Sequence, residues 1–510
     1  MSIDDAFDPD LLVVETEQGR VRGDHRRGAY RYRGIPYAAA PVGDRRFAPP
    51  APAEGWAGIR AATGRFPVAP QPADGMSQLL GVGVPPVHSE AECLTLHVWT
   101  PAPDGARRPV LVWLHGGAFV TGSGTIPWYD GANLTLRDVV VVTVNYRLGI
   151  LGFLHLADLG GEAYAGSGNA GVLDQAAALG WVHDNIAAFG GDPHNVTIFG
   201  ESAGGMSVGT QLALPASTGL FHRAIAQSGA ASNISSADRA TGIADKALEE
   251  LGLDRSQLSR LRDVPVDALV AAQVKLTASY GLVNGLPFQP VHDGATLPLA
   301  PLDAVADGSA RGIDLIAGSN RDEMRIFVAM TPALQAADDT VVLARLRRLA
   351  GDHADAVLAA YRRLLPGADA SSLFEAIGTD AIFRIPAMRL AAEQAGHGSA
   401  RVYEFHFAST SMGGMMGATH ALEVPFVFDN LDAPGAAFLT GEPDEVMRAL
   451  ATTMADAWCA FARNGIPSAT SLPEWPTYDR PGRPTLVVDA ESMIVDDPAG
   501  AVSDAWSAVV

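Results

Sequence analysis

A chain of 510 residues, 48% hydrophobic and 18% charged, has ordinary globular composition and the length for a large buried core. Its formal net charge of −21 repels phosphate backbones and argues against nucleic acid as a partner. Two cysteines, Cys93 and Cys459, are too few for a disulfide framework and have no metal-ligand spacing around them, so both read as buried thiols, with one bridge between them as the alternative.

The N-terminal stretch "MSIDDAFDPDLLVVETEQG" is acidic and lacks the basic and apolar regions of a secretory signal. The most apolar segment, "DVVVVTVNYRLGILGFLHLADLG", is broken by Asn145, Tyr146 and Arg147 too early for a membrane span. A cytoplasmic protein without membrane contact is expected. "LLVVETEQGRVRG" predicts an antiparallel hairpin turned at Gln18–Gly19. Continuous apolar runs follow: "RPVLVWLHGG", "VVVVTVNYR", "NVTIFG", "RAIAQSGA", "DLIAGSN" and "RVYEFHF". Such runs predict strands covered on both faces, as in a parallel sheet. Amphipathic stretches lie between them, among them "NAGVLDQAAALGWVHDNIAAFG", a helix ending at Gly190. The rhythm is that of an α/β fold. Helical blocks at about 237–275 and 333–400 read as insertions that cap the sheet of a single domain spanning 1–510. Regular charges in the first block argue against a greasy, membrane-docking lid.

"TIFGESAGGMS" sets Ser202 between Gly200 and Gly204. A serine hydroxyl is a weak nucleophile and needs presentation to substrate and base. A sharp strand-to-helix turn provides it, and glycines at −2 and +2 remove the clash that such a turn creates. The alternative is a tight turn in which Ser202 only caps a helix. Upstream, "VWLHGGAF" places His115, Gly116, Gly117 and Ala118 directly after a strand. Small residues there let backbone N–H groups face a developing oxyanion, with the N–H of Ala203 as a further donor.

In α/β-hydrolases a serine in this motif is followed by an acid and then a histidine. Four histidines come late enough: His353, His397, His406 and His420. His353 lies in a helical pattern, His397 in a polar turn and His406 within a strand. His420 lies in a Gly-rich loop that can bring an imidazole over the serine, and it is the one expected as base. "DLIAGSNRDEMRIF" offers Asp322 and Glu323 as the acid that orients it, and loop chemistry does not separate the two.

Ordered motifs along nearly the whole chain resemble one family. They include "YRYRGIPYAAAPVGDRRFAPP", "SEAECLTLHVWTP", "WLHGGAF", "VNYRLGILGFL", "GNAGVLDQAAALGWVHDNIAAFGGDPHNVTIFGESAGG", "FQPVHDG", "GSNRDE", "TDAIFRIP", "GATHALEVPFVF" and "WPTYD". They resemble the type-B carboxylesterases, the family of the cholinesterases and the bacterial para-nitrobenzyl esterases. The resemblance implies an α/β-hydrolase fold with a large, mostly parallel sheet, helices on both faces and helical caps. It places the acid on Glu323, the base on His420 and the nucleophile on Ser202. Oxyanion donors fall on Gly117, Ala118 and Ala203, with Gly116 beside them. Glu201 and Ser228 match positions that support the triad, and Asp380 and Arg384 match a structural motif. Where eukaryotic members carry a cysteine partner for the "ECL" cysteine, this chain has Ala69, which leaves Cys93 unpaired. No tryptophan lies between Pro70 and Ser89, which argues against choline specificity.

The expected activity is hydrolysis of a small-molecule carboxylic ester through an acyl-enzyme, with no metal or organic cofactor. The same machinery serves carbamates, amides, lactones and thioesters, and the fold also hosts non-catalytic binding modules. Leu282, Phe288, Ile326, Phe327 and the run Met412–Met416 are candidates to line the substrate pocket, each also readable as core packing.

Overall fold

The computed structural model describes residues 8–64, 66–73, 87–506 and 509, leaving the side chains of 282–284 aside. Its centre is an eleven-stranded sheet. In chain order the strands are β1 (Asp24–Arg26), β2 (Ala29–Pro36), β3 (Thr95–Thr100), β4 (Arg108–Leu114), β5 (Val140–Val144), β6 (Gly191–Glu201), β7 (Arg223–Gln227), β8 (Asp314–Asn320), β9 (Ala400–Phe405), β10 (Pro484–Val488) and β11 (Met493–Asp496). Across the sheet they run β11-β10-β9-β8-β7-β6-β4-β5-β3-β2-β1. Strands from β10 through β5 pair in parallel, while β1, β2, β3 and β11 pair antiparallel at the two margins.

The continuous apolar runs are explained by cover on both faces. Along β4, Val110, Val112 and Leu114 enter one core, and the alternate residues Leu111 and Trp113 enter the other. Five helices matter for the site: α1 (Ala170–Asn185), α2 (Ala203–Gln211), α3 (Val266–Asn284), α4 (Ile385–Gln394) and α5 (Glu445–Asn464). Val182 of α1, Val208 of α2 and Leu390 of α4 pack on the first face, and Trp458 and Phe461 of α5 on the second. α1 runs into a 3₁₀ turn that Gly190 ends at φ 82°, the left-handed stop its sequence predicts. Asp444 caps α5 by accepting the Met447 N–H at 2.8 Å.

The first helical block follows β7 as Ala237–Glu250, a 3₁₀ run Arg255–Asp263, and α3, which is broken at Gly281 (φ 55°). The second comprises Asp339–Ala350, Ala354–Leu364 and Ala370–Thr379, then a π-turn at Asp380–Arg384 that leads into α4.

Two local expectations shift. The first hairpin forms, but Thr16 pairs with Gly19, so its turn is Glu17–Gln18, one residue earlier than predicted. Gly19 is needed in the strand because a Cβ there would sit 2.7 Å from the Trp56 indole. The strand in "RVYEFHF" ends at Phe405, leaving His406 outside it with its N–H on Val488 O. Cys93 and Cys459 are unpaired and buried, and burial pushes both thiols up to about 12. Among the described residues no helix is long and apolar enough to cross a membrane.

Candidate active site

Ser202 stands where β6 meets α2, with φ 58° and ψ −126°. A β-carbon at this φ is strained, by an amount on the order of 1–3 kcal/mol. The neighbours hold it there. Its N–H donates to Gln227 O of β7 at 3.0 Å, and its carbonyl accepts the Met206 N–H at 2.9 Å. Both flanking glycines are required by contact. A Cβ on Gly204 would lie 1.9 Å from Leu114 O, and one on Gly200 would lie 2.6 Å from the same oxygen. The turn is therefore clamped between β4 and α2 and has no room for a side chain at either position.

Glu323 and His420 lie in the loops after β8 and β9, so with Ser202 after β6 all three side chains sit at carboxyl ends of parallel strands. His420 Nδ1 lies 2.5 Å from Glu323 Oε2. The other Glu323 oxygen accepts the Asn320 N–H at 2.7 Å. Asn320 Nδ2 reaches across to Thr419 O and to Glu423 Oε2, each at 2.7 Å, and Thr419 Oγ1 accepts the Ile326 N–H at 3.0 Å. These bonds fasten the two loops together. On its other edge, His420 Nε2 is 3.1 Å from Glu201 Oε1. The rings of Phe327 and Phe383 flank the imidazole at centroid distances of 5.1 and 4.9 Å.

This leaves one imidazole among three buried carboxylates. Burial alone would push His420 down; the charges of Glu201 and Glu323 and the Glu323 hydrogen bond outweigh it and raise the imidazole to about 9. Burial pushes the Glu201 carboxyl up to about 8, with His420 opposing and the two neighbouring glutamates adding to the rise. Glu423 is raised to about 7, by burial first and by Glu323 next. His420, Glu201 and Glu423 titrate as a coupled set.

The loop after β4 faces this cluster. A Cβ on Gly116 would lie 2.8 Å from Glu201 O and 3.0 Å from Ser202 Cβ, so the bare backbone passes close to the elbow. Gly117, Ala118 and Phe119 all have positive φ, at 112°, 55° and 62°. Among the described residues neither the Gly117 nor the Ala118 N–H donates to a protein acceptor. Ala203 opens α2, where an N–H has no intrahelical partner. His115 supports the loop from below. It stacks on Tyr146 at 4.4 Å, and Tyr146 donates to His115 O at 2.8 Å. Burial lowers its imidazole to about 4, so it stays neutral.

The structure thus brings together Ser202, Glu201, Glu323, His420 and the Gly116–Ala118 loop. Ser228, at φ 46°, is buried beside the elbow: a Cβ on its neighbour Gly229 would touch Ser202 O at 2.3 Å. Of the two adjacent acids, Glu323 is the one that contacts His420. Asp322 turns away from His420. Its N–H donates to Ala418 O, its Oδ2 accepts the Ala418 N–H, both at 2.9 Å, and Arg321 and Arg325 pair with it. Burial opposes its ionisation, yet those partners hold its carboxyl below the usual range. His353 is exposed, His397 bonds Ala306 O, and His406 pairs with Glu404.

Asp380 and Arg384 form an ion pair within the π-turn, with Tyr361 donating to Asp380 at 2.5 Å and Arg384 reaching Glu404 at 2.6 Å. The same turn carries Phe383 onto His420, a contact that "TDAIFRIP" does not disclose. Of the pocket candidates, Phe327 touches the imidazole, Phe288, Ile326 and Met416 are core residues, and Met412 and Met415 are exposed. The side chain of Leu282 lies outside the described residues. Sequence reasoning also missed Glu423 and Asn320. The only trace is a glutamate three residues after His420 and an asparagine three before Glu323, spacings that a helix turn or strand end explains equally well.

The family model described as "Carboxylesterase family" matches residues 10–499. A para-nitrobenzyl esterase of Bacillus subtilis (strain 168) is 41% identical over 490 residues, covering 95% of this chain and 96% of the relative. A phenmedipham hydrolase of Pseudarthrobacter oxydans is 37% identical over 489 residues, covering 94% and 95%. Among solved structures, a carboxylesterase of Geobacillus stearothermophilus superposes with a TM-score of 0.88 at 41% identity, covering 97% of this chain and all of that one. With this sheet, this elbow and similarity along nearly its whole length, the chain belongs to the carboxylesterase family and is a serine hydrolase of carboxylic esters.

Proposed function

We propose that Ser202, His420 and Glu323 form the catalytic triad, and that the N–H groups of Gly117, Ala118 and Ala203, with Gly116 beside them, form the oxyanion hole. The observation that carries this reading is the position of His420, held by Glu323 at 2.5 Å on one edge and meeting, on the other, the residue next to Ser202. Ser202 Oγ attacks the ester carbonyl while His420 Nε2 takes its proton. Glu323 fixes the tautomer with the proton on Nδ1 and stabilises the imidazolium. The carbonyl oxygen, now negative, is met by backbone donors whose strained conformation was established on folding, so little reorganisation opposes the reaction. The tetrahedral intermediate collapses as His420 protonates the departing alkoxide. Water, deprotonated by the same imidazole, then attacks the acyl-enzyme and frees the acid.

The substrate class is that of aryl and benzyl esters of small acids, supported by the full-length similarity to a para-nitrobenzyl esterase and by Phe327 and Phe383 beside the imidazole. The test is steady-state hydrolysis of para-nitrobenzyl and para-nitrophenyl acetates by the wild type, His420→Ala and Glu323→Gln. The wild type is expected to turn over both, with kcat falling at least about 10³-fold in each variant. Near-normal turnover by either variant contradicts the triad.

A further inference from the structure

Gln273 belongs to α3, in the first cap block, yet it is only 1% exposed. Its Oε1 accepts the Ile150 N–H at 3.0 Å, and its Nε2 donates to Val120 O at 3.3 Å. Val120 is two residues beyond Ala118 in the same loop. Residues 149–150 are themselves fastened to that loop, because Gly149 N–H donates to Phe119 O at 2.6 Å. Gly149 has φ 52°, and a Cβ there would lie 1.8 Å from Gln273 Oε1. The glycine leaves the space that the amide fills. One side chain from the cap therefore ties two segments that converge on Gly117–Phe119, the run of three positive-φ residues. Strained backbone of this kind persists only where its surroundings over-determine it.

We propose that Gln273 is a positioning residue that holds the oxyanion loop in its donor geometry, which makes the cap insertion a working part of the catalytic machinery as well as a cover. The proposal rests on the reading of the Gly117 and Ala118 N–H groups as oxyanion donors. A side chain that merely fastens the cap to the body would affect stability, or substrate entry and KM. A side chain that sets the donors affects the step in which charge develops on the carbonyl oxygen, and so kcat.

The experiment compares para-nitrophenyl acetate with its thionoester, in which sulfur replaces the carbonyl oxygen. Sulfur is larger and a poorer acceptor, so the rate ratio of the two substrates reports how well the N–H donors are aimed. Wild type, Gln273→Met and Gln273→Glu are assayed, with kcat expressed per site titrated by a serine-directed phosphonate so that unfolded molecules drop out. Met keeps the length of the side chain without its hydrogen bonds. Glu keeps the acceptor for Ile150 but sets a carboxylate against Val120 O. Both variants are expected to lose about 10- to 100-fold in kcat on the oxygen ester. KM is expected to stay within about twofold, and the oxygen-to-sulfur ratio to narrow along with kcat. Unchanged kcat and ratio in either variant, or a rise in KM alone, overturns the role of Gln273 while leaving the oxyanion reading intact. Equal rates on the two substrates in the wild type overturn the oxyanion reading itself.

Discussion

The Nε2 edge of His420, which takes the serine proton in the proposed mechanism, lies 3.1 Å from Oε1 of Glu201, the residue immediately before Ser202. Glu201 therefore sits within hydrogen-bonding distance of His420 rather than behind it. A negative charge there favours imidazolium and opposes the neutral form that a general base requires. The raised Glu201 carboxyl is the counterweight, since a protonated Glu201 releases the imidazole from part of that field.

Replacing Glu201 by Gln removes the largest of the charges that raise His420. The imidazole then titrates at lower pH. The acidic limb of kcat/KM is expected to move down by about one unit or more. A pH–rate profile from 5 to 10 on para-nitrophenyl acetate checks this, and an unmoved limb contradicts the coupling.

The same cluster sets a direction for stability. Glu201, Glu423 and His420 all have folded values raised above their ordinary ones, to about 8, about 7 and about 9. Each binds its proton more tightly when folded, so its contribution is full below the unfolded value and is lost as pH rises through the folded value. Carboxylates held below their usual range are fully ionised throughout this window and add no slope. The urea midpoint of Ser202→Ala is expected to fall between pH 7 and pH 9. A flat or rising midpoint would show that the cluster is not buried as described.

Asp322 grips Ala418 through both its N–H and its carboxylate, two residues before His420. Asp322→Ala is expected to cost about 1–3 kcal/mol in stability and to lower kcat about tenfold or more, because the loop that carries His420 loses its clamp. Asp322→Asn keeps an acceptor for the Ala418 N–H and should fall between Ala and wild type. Equal losses in both variants would assign the effect to the Arg321 and Arg325 pairs instead.

Strain at Ser202 gives a further test. Glycine adopts φ 58° without the penalty a β-carbon incurs, whereas alanine does not. Ser202→Gly is expected to be more stable than Ser202→Ala by about 1 kcal/mol, measured by urea unfolding, with both inactive. Gly204→Ala is the converse: its Cβ would press on Leu114 O, so it should lose both stability and activity. If Gly204→Ala behaves as wild type, the turn is looser than its contacts imply.

Much of this was legible in the sequence, for physical reasons. Uninterrupted apolar runs foretold parallel strands because the sheet is covered on both faces, and the Gly-Glu-Ser-Ala-Gly turn announced itself because sterics permit no other residues at 200 and 204. His420 could be selected by loop context and chain order. Asp322 and Glu323 could not be separated by chemistry, since they differ in direction from the loop, and direction is fixed by Ala418 and Asn320 roughly 100 residues and three residues away in the chain. Only the family resemblance favoured Glu323. Glu201's approach to His420, Phe383 in the π-turn and Gln273 under the Gly117–Phe119 loop all depend on contacts between segments far apart in sequence. Local pattern carries no record of such contacts. The shift of the first hairpin turn by one residue has a similar origin, because Trp56 dictates where Gly19 must sit.

Whether Ser202 is the nucleophile is decided by intact-mass analysis. Wild type and Ser202→Ala are treated with a serine-directed phosphonate, alongside hydrolysis of para-nitrophenyl acetate and butyrate. One adduct and turnover are expected for the wild type, and neither for the variant. A folded wild type that takes no label, or a variant that still takes one, would contradict it.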